Sequence, residues 1–100
     1  MISLPNKSYL KGYRLERDIR LELEGEGCLV LRSGGSHSKI DLVAICSDKV
    51  RLIQAKAWKK YTEKQLNDEL KELGKIKVKY PFCSVELWVR NRGIMSVWRV

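Results

Sequence analysis

Residues that bind transition metals are scarce in this chain of 100 residues. His37 is the only histidine, so a metal site built on two histidines is excluded and a serine–histidine triad has a single possible base. His37 also stands in a Gly/Ser-rich segment, where a solvated loop residue is the simpler interpretation. The cysteines Cys28, Cys46 and Cys83 fit neither a disulfide framework nor paired zinc ligands, and we expect reduced, buried thiols.

Long apolar runs are also missing. No stretch approaches the roughly 20 apolar residues that cross a bilayer. The first six residues contain no apolar segment of the kind that forms a signal peptide. Hydrophobic residues nevertheless make up 44% of the chain and are spread along it. We therefore expect residues 1–100 to form one small intracellular domain with one core and no membrane association.

Acidic residues are outnumbered. Lys and Arg total 20 against 12 Asp and Glu, which gives a formal net charge of +8. A strongly basic small domain favours a polyanionic partner, most simply nucleic acid. The alternative at this level is a basic surface that is only solvated.

The apolar periodicity predicts seven elements of secondary structure. The predicted helices begin at Tyr9 and Thr62 and end near Gly25 and Gly74, the second with a Thr62–Gln65 capping box. The predicted strands cover residues 28–32, 39–46, 50–57, 84–90 and 94–100, with a turn at 91–93 between the last two. The order is α-β-β-β-α-β-β, an α/β domain.

Two of the predicted strands carry polar residues where a sheet ordinarily has hydrophobic ones. Asp41 opens one apolar run, and Gln54 and Lys56 interrupt the next. Alternate residues of a strand share a face, so Gln54 and Lys56 point the same way. The short connection at residues 47–49 allows antiparallel pairing, which would bring Asp41 beside them.

A second acid is marked by its place on the first helix. Glu16 shares a helical face with the apolar Ile19 and Leu23, so it is directed toward the interior. The alternative is that Glu16 lies at the edge of this stripe and forms an exposed pair with Arg20. The helix periodicity alone leaves both open.

These residue types suit phosphodiester hydrolysis. Asp41 and the Gln54 side-chain oxygen are hard ligands of the kind that Mg²⁺ prefers. A bound metal lowers the pKa of water and stabilises charge on the phosphate. Lys56 can orient or deprotonate the attacking water or offset that charge, and Glu16 can complete the metal shell directly or through water.

The chain resembles the PD-(D/E)xK nuclease superfamily and, within it, the archaeal Holliday junction resolvases. The matching motifs are Lys11-Gly12, Glu16-Arg17, Val30-Leu31-Arg32-Ser33 with Ser36, Asp41-Leu42-Val43-Ala44, Gln54-Ala55-Lys56 and the terminal Trp98-Arg99-Val100. The resemblance implies a restriction-endonuclease-like fold with a central mixed sheet. It also implies a homodimer that cuts two symmetric strands of a four-way DNA junction with Mg²⁺, for which Mn²⁺ may substitute. Glu16, Asp41, Gln54 and Lys56 would be catalytic, the first three as metal ligands.

The sequence departs from the family at two positions. Gln54 stands where the family has Glu, and Ile40 where the superfamily has its proline. A Gln-x-Lys variant occurs in the related Mrr-type nucleases, so we expect weaker metal binding rather than inactivity. The connection from Trp58 to Thr62 is also shorter than the family's usual loop.

Basic and hydroxyl residues flanking these motifs are the expected DNA contacts. They are Lys11, Arg14, Arg17, Arg32, Ser33, Ser36, Lys39, Lys59 and Lys60. Trp58 either stacks on a base or belongs to the core or a dimer interface. The apolar segment from Ile94 to Trp98 is the expected dimer surface.

Two other functions stay open. The same nuclease site could act on flaps, nicks or duplex ends, or the chain could be a DNA-binding module whose site has decayed. Retention of Glu16, Asp41 and Lys56 together argues against decay.

Overall fold

The computed structural model describes residues 7–33 and 38–100. The helices are α1 (Lys7–Gly25) and α2 (Glu63–Lys79), and the strands are β1 (Leu29–Arg32), β2 (Leu42–Ile45), β3 (Val50–Ala57), β4 (Ser84–Asn91) and β5 (Ile94–Arg99). The α-β-β-β-α-β-β order is confirmed. The bounds of β3 agree with the prediction, whereas β2 begins three residues later than predicted.

The five strands form one sheet in the order β1-β2-β3-β4-β5. Only β3 and β4 are parallel, and the other neighbours are antiparallel, so the sheet is mixed as predicted. The long crossover from β3 to β4 contains α2, as a parallel connection requires. The C-terminal ends of β3 and β4 and the start of β2 therefore lie at the same end of the sheet, measured along the strands.

One helix packs on each face of the sheet. Helix α1 buries Leu15, Ile19 and Leu23 against strand residues that include Ile53 and Trp88. Helix α2 packs its own apolar stripe on the other face, against a cluster built on Val85, Leu87 and Val89. The sheet is thus the middle layer of an α/β/α sandwich.

Helix α2 is longer than the sequence predicts. Thr62 caps it as expected, with its Oγ1 accepting a 3.1 Å hydrogen bond from the Gln65 N–H. The predicted end at Gly74 is wrong, since the helix continues to Lys79. Ile76, beyond the glycine, still packs against the sheet, and this burial offsets the roughly 1 kcal/mol that glycine costs inside a helix.

The prediction of three reduced cysteines is wrong for two of them. Cys28 and Cys46 form a disulfide, with 4.3 Å between their Cα atoms, and Cys83 alone is a free, buried thiol. The pairing of Leu29 with Ile45 across β1 and β2 places the two cysteines opposite each other. The bond links β1, at one edge of the sheet, to β2.

A charged cluster lies within the α1 face of the sheet. Glu86 is fully buried and accepts two 2.8 Å hydrogen bonds from the Arg51 guanidinium. Trp88 Nε1 and Ser84 Oγ donate to the same carboxylate at 2.9 and 2.7 Å. Burial alone would raise the pKa of Glu86, but these hydrogen bonds outweigh it and hold the pKa below its usual value.

Candidate nuclease site

Asp41 forms two hydrogen bonds with β3, one through its backbone and one through its side chain. Its N–H donates to the Ile53 carbonyl at 2.8 Å, and its Oδ2 accepts from the Ala55 N–H at 2.8 Å. Ala55 is the residue between Gln54 and Lys56, so the carboxylate lies against the segment where the sequence places it. The antiparallel pairing of β2 with β3 produces this contact.

Gln54 is a buried polar residue in β3. It shares its face of the strand with Leu52, which packs in the α2 cluster. The residue is 3% exposed, and its Oε1 has no hydrogen-bond partner among the residues that the structure describes. A buried oxygen left unsatisfied costs about 1–3 kcal/mol, and a cation would satisfy it.

Glu16 reaches the same region from α1. Arg32 Nε donates a 3.0 Å hydrogen bond to its Oε1, whereas the alternative pairing with Arg20 is not formed, because Arg20 pairs with Glu24 at 3.5 Å. The pKa of Glu16 is raised, mainly because the carboxyl is partly buried. The ion pair with Arg32 lowers this pKa, and the negative charge of Asp41 raises it further. A cation bound near both carboxylates would oppose this effect of Asp41.

These residues fit a hard divalent cation. Two carboxylates and one unsatisfied amide oxygen make an all-oxygen donor set, which suits Mg²⁺ or Mn²⁺. Across residues 7–33 and 38–100, no group of three or more His, Cys, Asp or Glu side chains is placed to hold a metal. Asp41, Glu16 and Gln54 are the residues that would hold one, with the amide in the place of a third carboxylate.

The expected DNA contacts fall into separate groups. Arg17 and Arg32 border a small cavity beside Glu16, and the Arg32 guanidinium lies 5.9 Å from the Tyr13 ring centre. Arg14, Lys59 and Lys60 line a larger cavity of about 630 Å³ at the C-terminal end of β3. The remaining residues are spread more widely: Lys39 pairs with Glu69 of α2 at 3.8 Å, Ser33 donates its N–H to the Asp41 carbonyl, and the Lys11 side chain and Ser36 lie outside the described part of the chain.

Two arginines that line the larger cavity were not predicted from the sequence. Arg90 and Arg92 line the cavity, and Asn91 Nδ2 donates to the carbonyls of Trp58 and Lys59 at 2.7 and 2.8 Å. The run Arg90-Asn91-Arg92 at a predicted hairpin turn is a basic signal that could have marked them. Its position beside Trp58 depends on the parallel pairing of β3 with β4, which the sequence pattern does not specify.

The mixed sheet with one helix on each face, with an acid before β2 and an amide and a lysine on β3, matches the pattern of the PD-(D/E)xK class of nucleases. Residues 7–79 match the family model of the archaeal Holliday junction resolvases, Hjc. The chain belongs to this family, whose activity is the nucleolytic resolution of DNA junctions.

A solved structure agrees on the fold. The chain is similar to the Holliday junction resolvase Hjc of Archaeoglobus fulgidus, with a TM-score of 0.66 and 22% sequence identity over 89% of this chain and 72% of that one. Comparison with curated protein sequences finds no match. Neither of the two described helices is long and apolar enough to cross a membrane.

Proposed function

We propose that this protein cuts four-way DNA junctions by hydrolysing two symmetric phosphodiesters with Mg²⁺, for which Mn²⁺ can substitute. The observation that carries the proposal is the hydrogen bond between the Asp41 carboxylate and the Ala55 N–H. It holds a carboxylate against the strand segment that contains the unsatisfied Gln54 oxygen and Lys56. Family membership and the similarity to the Archaeoglobus resolvase support the junction as substrate.

Each side chain has a separate role in this proposal. A bound metal supplies a more acidic water and charge stabilisation at the phosphate. Asp41, Glu16 and Gln54 hold their oxygens in place for it. Lys56 orients the attacking water and offsets the negative charge that develops as one P–O bond forms and another breaks.

The basic residues would position the DNA backbone. Arg14, Arg17, Arg32, Lys59 and Lys60 are all exposed at least in part, and we propose them as phosphate contacts. Lys11, Ser33, Ser36 and Lys39 remain candidates from the sequence. Each phosphate contact contributes about −0.9 to the slope of log affinity against log salt concentration, so binding would be steeply salt-dependent.

We further propose that the active species is a homodimer of this one domain, residues 1–100, acting inside the cell. Two symmetric cuts require two sites, and a two-fold dimer supplies them. In the predicted dimer segment, Ile94 and Val97 are exposed, 69% and 42%, but Trp98 packs against the core cluster on the α2 face of the sheet. Val97→Arg should therefore give a monomer in sedimentation, which makes it a better test than substitution of Trp98.

Another exposed apolar surface provides the matched control for the dimer test. Leu31 of β1 is 50% exposed and lies on the opposite side of the strand from Val30, which packs in the α1 cluster. Leu31→Arg should leave the dimer intact. A dimeric Val97→Arg with a monomeric Leu31→Arg would place the interface at β1. If both variants are dimeric, neither placement is right.

The test of the function itself compares substrates and one lysine. A labelled four-way junction should be cut in pairs while matched flaps and linear duplex are not, and Lys56→Met should retain junction binding but lose cleavage. Lys71→Met, which removes an exposed lysine of α2, is the control and should cut normally. Cleavage of flaps or duplex ends instead would change the substrate, and tight binding without cleavage by the wild type would indicate a decayed, DNA-binding site.

A further inference from the structure

The larger cavity lies directly beyond the proposed catalytic lysine. Ala57 and Trp58, the two residues that follow Lys56, form part of its lining together with Gly93. Its volume of about 630 Å³ is within the range of pockets that hold small organic ligands, and it is far larger than one phosphate needs. Trp58 is partly buried and packs against Tyr61, with ring centres 5.2 Å apart.

The lining of this cavity joins apolar surface to positive charge. Arg14, Lys60 and Arg92 are all exposed at its rim, and no acidic residue is among the described residues that line it. Such a site suits a ligand that has a flat apolar part and an anionic part. A nucleotide has both, since every base has a face that can stack on an aromatic ring.

The two sides of the cavity are joined by hydrogen bonds. Asn91 Nδ2 donates to the carbonyls of Trp58 and Lys59, and the Trp58 N–H donates to the Arg90 carbonyl at 3.1 Å. The segment after β3 is thereby attached to the last two residues of β4. The cavity is preformed, which lowers the entropy lost when a ligand binds.

Arg92 occupies a backbone conformation that arginine rarely adopts. Its φ is 50° and that of Gly93 is 83°, the positive values that a two-residue type I′ turn requires. Asn would suit the first of these positions better, and the left-handed conformation has an energetic cost for most other residues. A strained residue at the rim of a pocket is grounds for a functional hypothesis.

We infer that this cavity binds one unstacked nucleotide at the branch point of the junction, with its base against Trp58 and its flanking phosphates at Arg92 and Lys60. This rests on the proposed function and adds a reason for preferring junctions. A base inside a continuous duplex must first be unpaired and unstacked, whereas that cost is smaller where stacking is already interrupted. Trp58 and Arg92 are then specificity-determining residues rather than parts of the hydrolytic site.

The first test needs no substitution. A four-way junction with 5-iodouracil at one branch-point position is bound by the wild-type protein in EDTA, irradiated and mapped by mass spectrometry. The expected crosslink joins the branch-point base to the peptide that contains Trp58, and the same base placed inside an arm gives none. Crosslinks from the branch point only to other peptides, or equal yields from arm and branch point, would overturn the inference.

A thermodynamic cycle measures the same contact. The affinity for the junction is measured after deleting the branch-point base, after replacing Trp58 by Leu, and after both changes. The combined loss of affinity should differ from the product of the two single losses by at least about fivefold, as expected for base–aromatic stacking. Circular dichroism checks that Trp58→Leu is folded, and the crosslink decides the question if it is not. Additive free-energy effects in a folded variant would show that the base does not contact Trp58.

The phosphate part of the inference is tested at the turn. Arg92→Asn keeps a residue that favours the turn, so the fold should not be lost. The slope of log affinity against log salt concentration should become shallower by about 0.9, the value of one phosphate contact. Lys71→Asn should leave the slope unchanged. An unchanged slope in Arg92→Asn would contradict the phosphate contact.

Free nucleotide is the other source of the same chemistry. A crosslink that persists in excess thymidine monophosphate assigns the cavity to the DNA strand, and one lost at low concentrations assigns it to free nucleotide and overturns the inference. The two proposals fail separately. A wild type that neither binds nor cuts junctions defeats the proposed function, whereas junctions that are cut without the Trp58 crosslink defeat this inference alone.

Discussion

The Asp41 carboxylate accepts a 2.8 Å hydrogen bond from the Ala55 N–H. One side chain therefore serves both as a connection between the start of β2 and the middle of β3 and as the proposed metal ligand. The two roles predict different results for two substitutions at this position.

Asp41→Asn should leave the free energy of unfolding nearly unchanged, because an amide oxygen can still accept from Ala55. Asp41→Ala removes the acceptor from a partly buried N–H and should lower that free energy by about 1–3 kcal/mol. Urea denaturation of both variants without metal measures the difference. Equal stability of the two variants would show that the hydrogen bond does not hold the strand.

Gln54→Glu should strengthen metal binding and weaken the metal-free protein. Gln54 is 3% exposed, so a carboxylate there would be a buried charge close to the Asp41 attachment point, unpaired until a cation arrives. We expect a lower melting temperature in EDTA and a larger rise on adding Mg²⁺ than in the wild type. An unchanged Mg²⁺ titration would exclude Gln54 as a direct ligand.

Glu86→Gln should destabilise the fold by about 3–5 kcal/mol at neutral pH, because it leaves the buried Arg51 without its charge partner. Glu72→Gln provides a surface control, since Glu72 is paired with Lys75 at 3.0 Å on the exposed side of α2. Guanidinium denaturation of the three proteins measures the effect. A Glu86 variant as stable as the wild type would mean that the cluster only offsets its own desolvation.

The effect of Glu86 on stability should depend on pH. Its pKa is held below the usual carboxyl value in the folded protein, so its contribution is present above the unfolded pKa of about 4.3. It is lost as the pH falls through the lower, folded pKa. The difference between wild type and Glu86→Gln should therefore be constant from pH 7 to 5 and shrink below pH about 4.

Reduction of the Cys28–Cys46 disulfide should lower stability by about 3 kcal/mol, the chain-entropy estimate for cysteines 18 residues apart. Thermal melts with and without a reductant measure this. Cys83→Ala provides the control, because this thiol is free and its loss should not change the response to reductant. Alkylation of the unfolded, unreduced protein should modify one cysteine, and three modified cysteines would contradict the bond.

The elements of secondary structure, and the approach of Asp41 to the Gln54–Lys56 segment, could be predicted because they depend on local sequence pattern. Alternation of side chains fixes which residues of β3 share a face, and the short connection before it forces β2 to pair antiparallel. These two facts are enough to bring Asp41 to the Gln54–Lys56 segment. The position of Glu16 needed the family resemblance, since a helical stripe alone allowed the Arg20 pair as well.

What the sequence could not predict depends on the register of paired strands. The disulfide requires Cys28 and Cys46 to be opposite each other, a matter of which residues of β1 and β2 pair. The cavity wall requires Asn91 to reach Trp58, which follows from the parallel register of β3 and β4. The end of α2 was wrong for a different reason, because burial of Ile76 outweighs the local preference of Gly74.

The central claim is that the residues around Asp41 hydrolyse junction strands with a divalent metal. The most direct test incubates a labelled four-way junction with wild type and Asp41→Asn, in Mg²⁺, in Mn²⁺ and in EDTA. We predict paired cuts by the wild type with either metal and none in EDTA. Asp41→Asn should still fold and bind the junction, but its rate of cleavage should fall by at least about 100-fold. Cleavage in EDTA, or full activity in Asp41→Asn, would contradict the account.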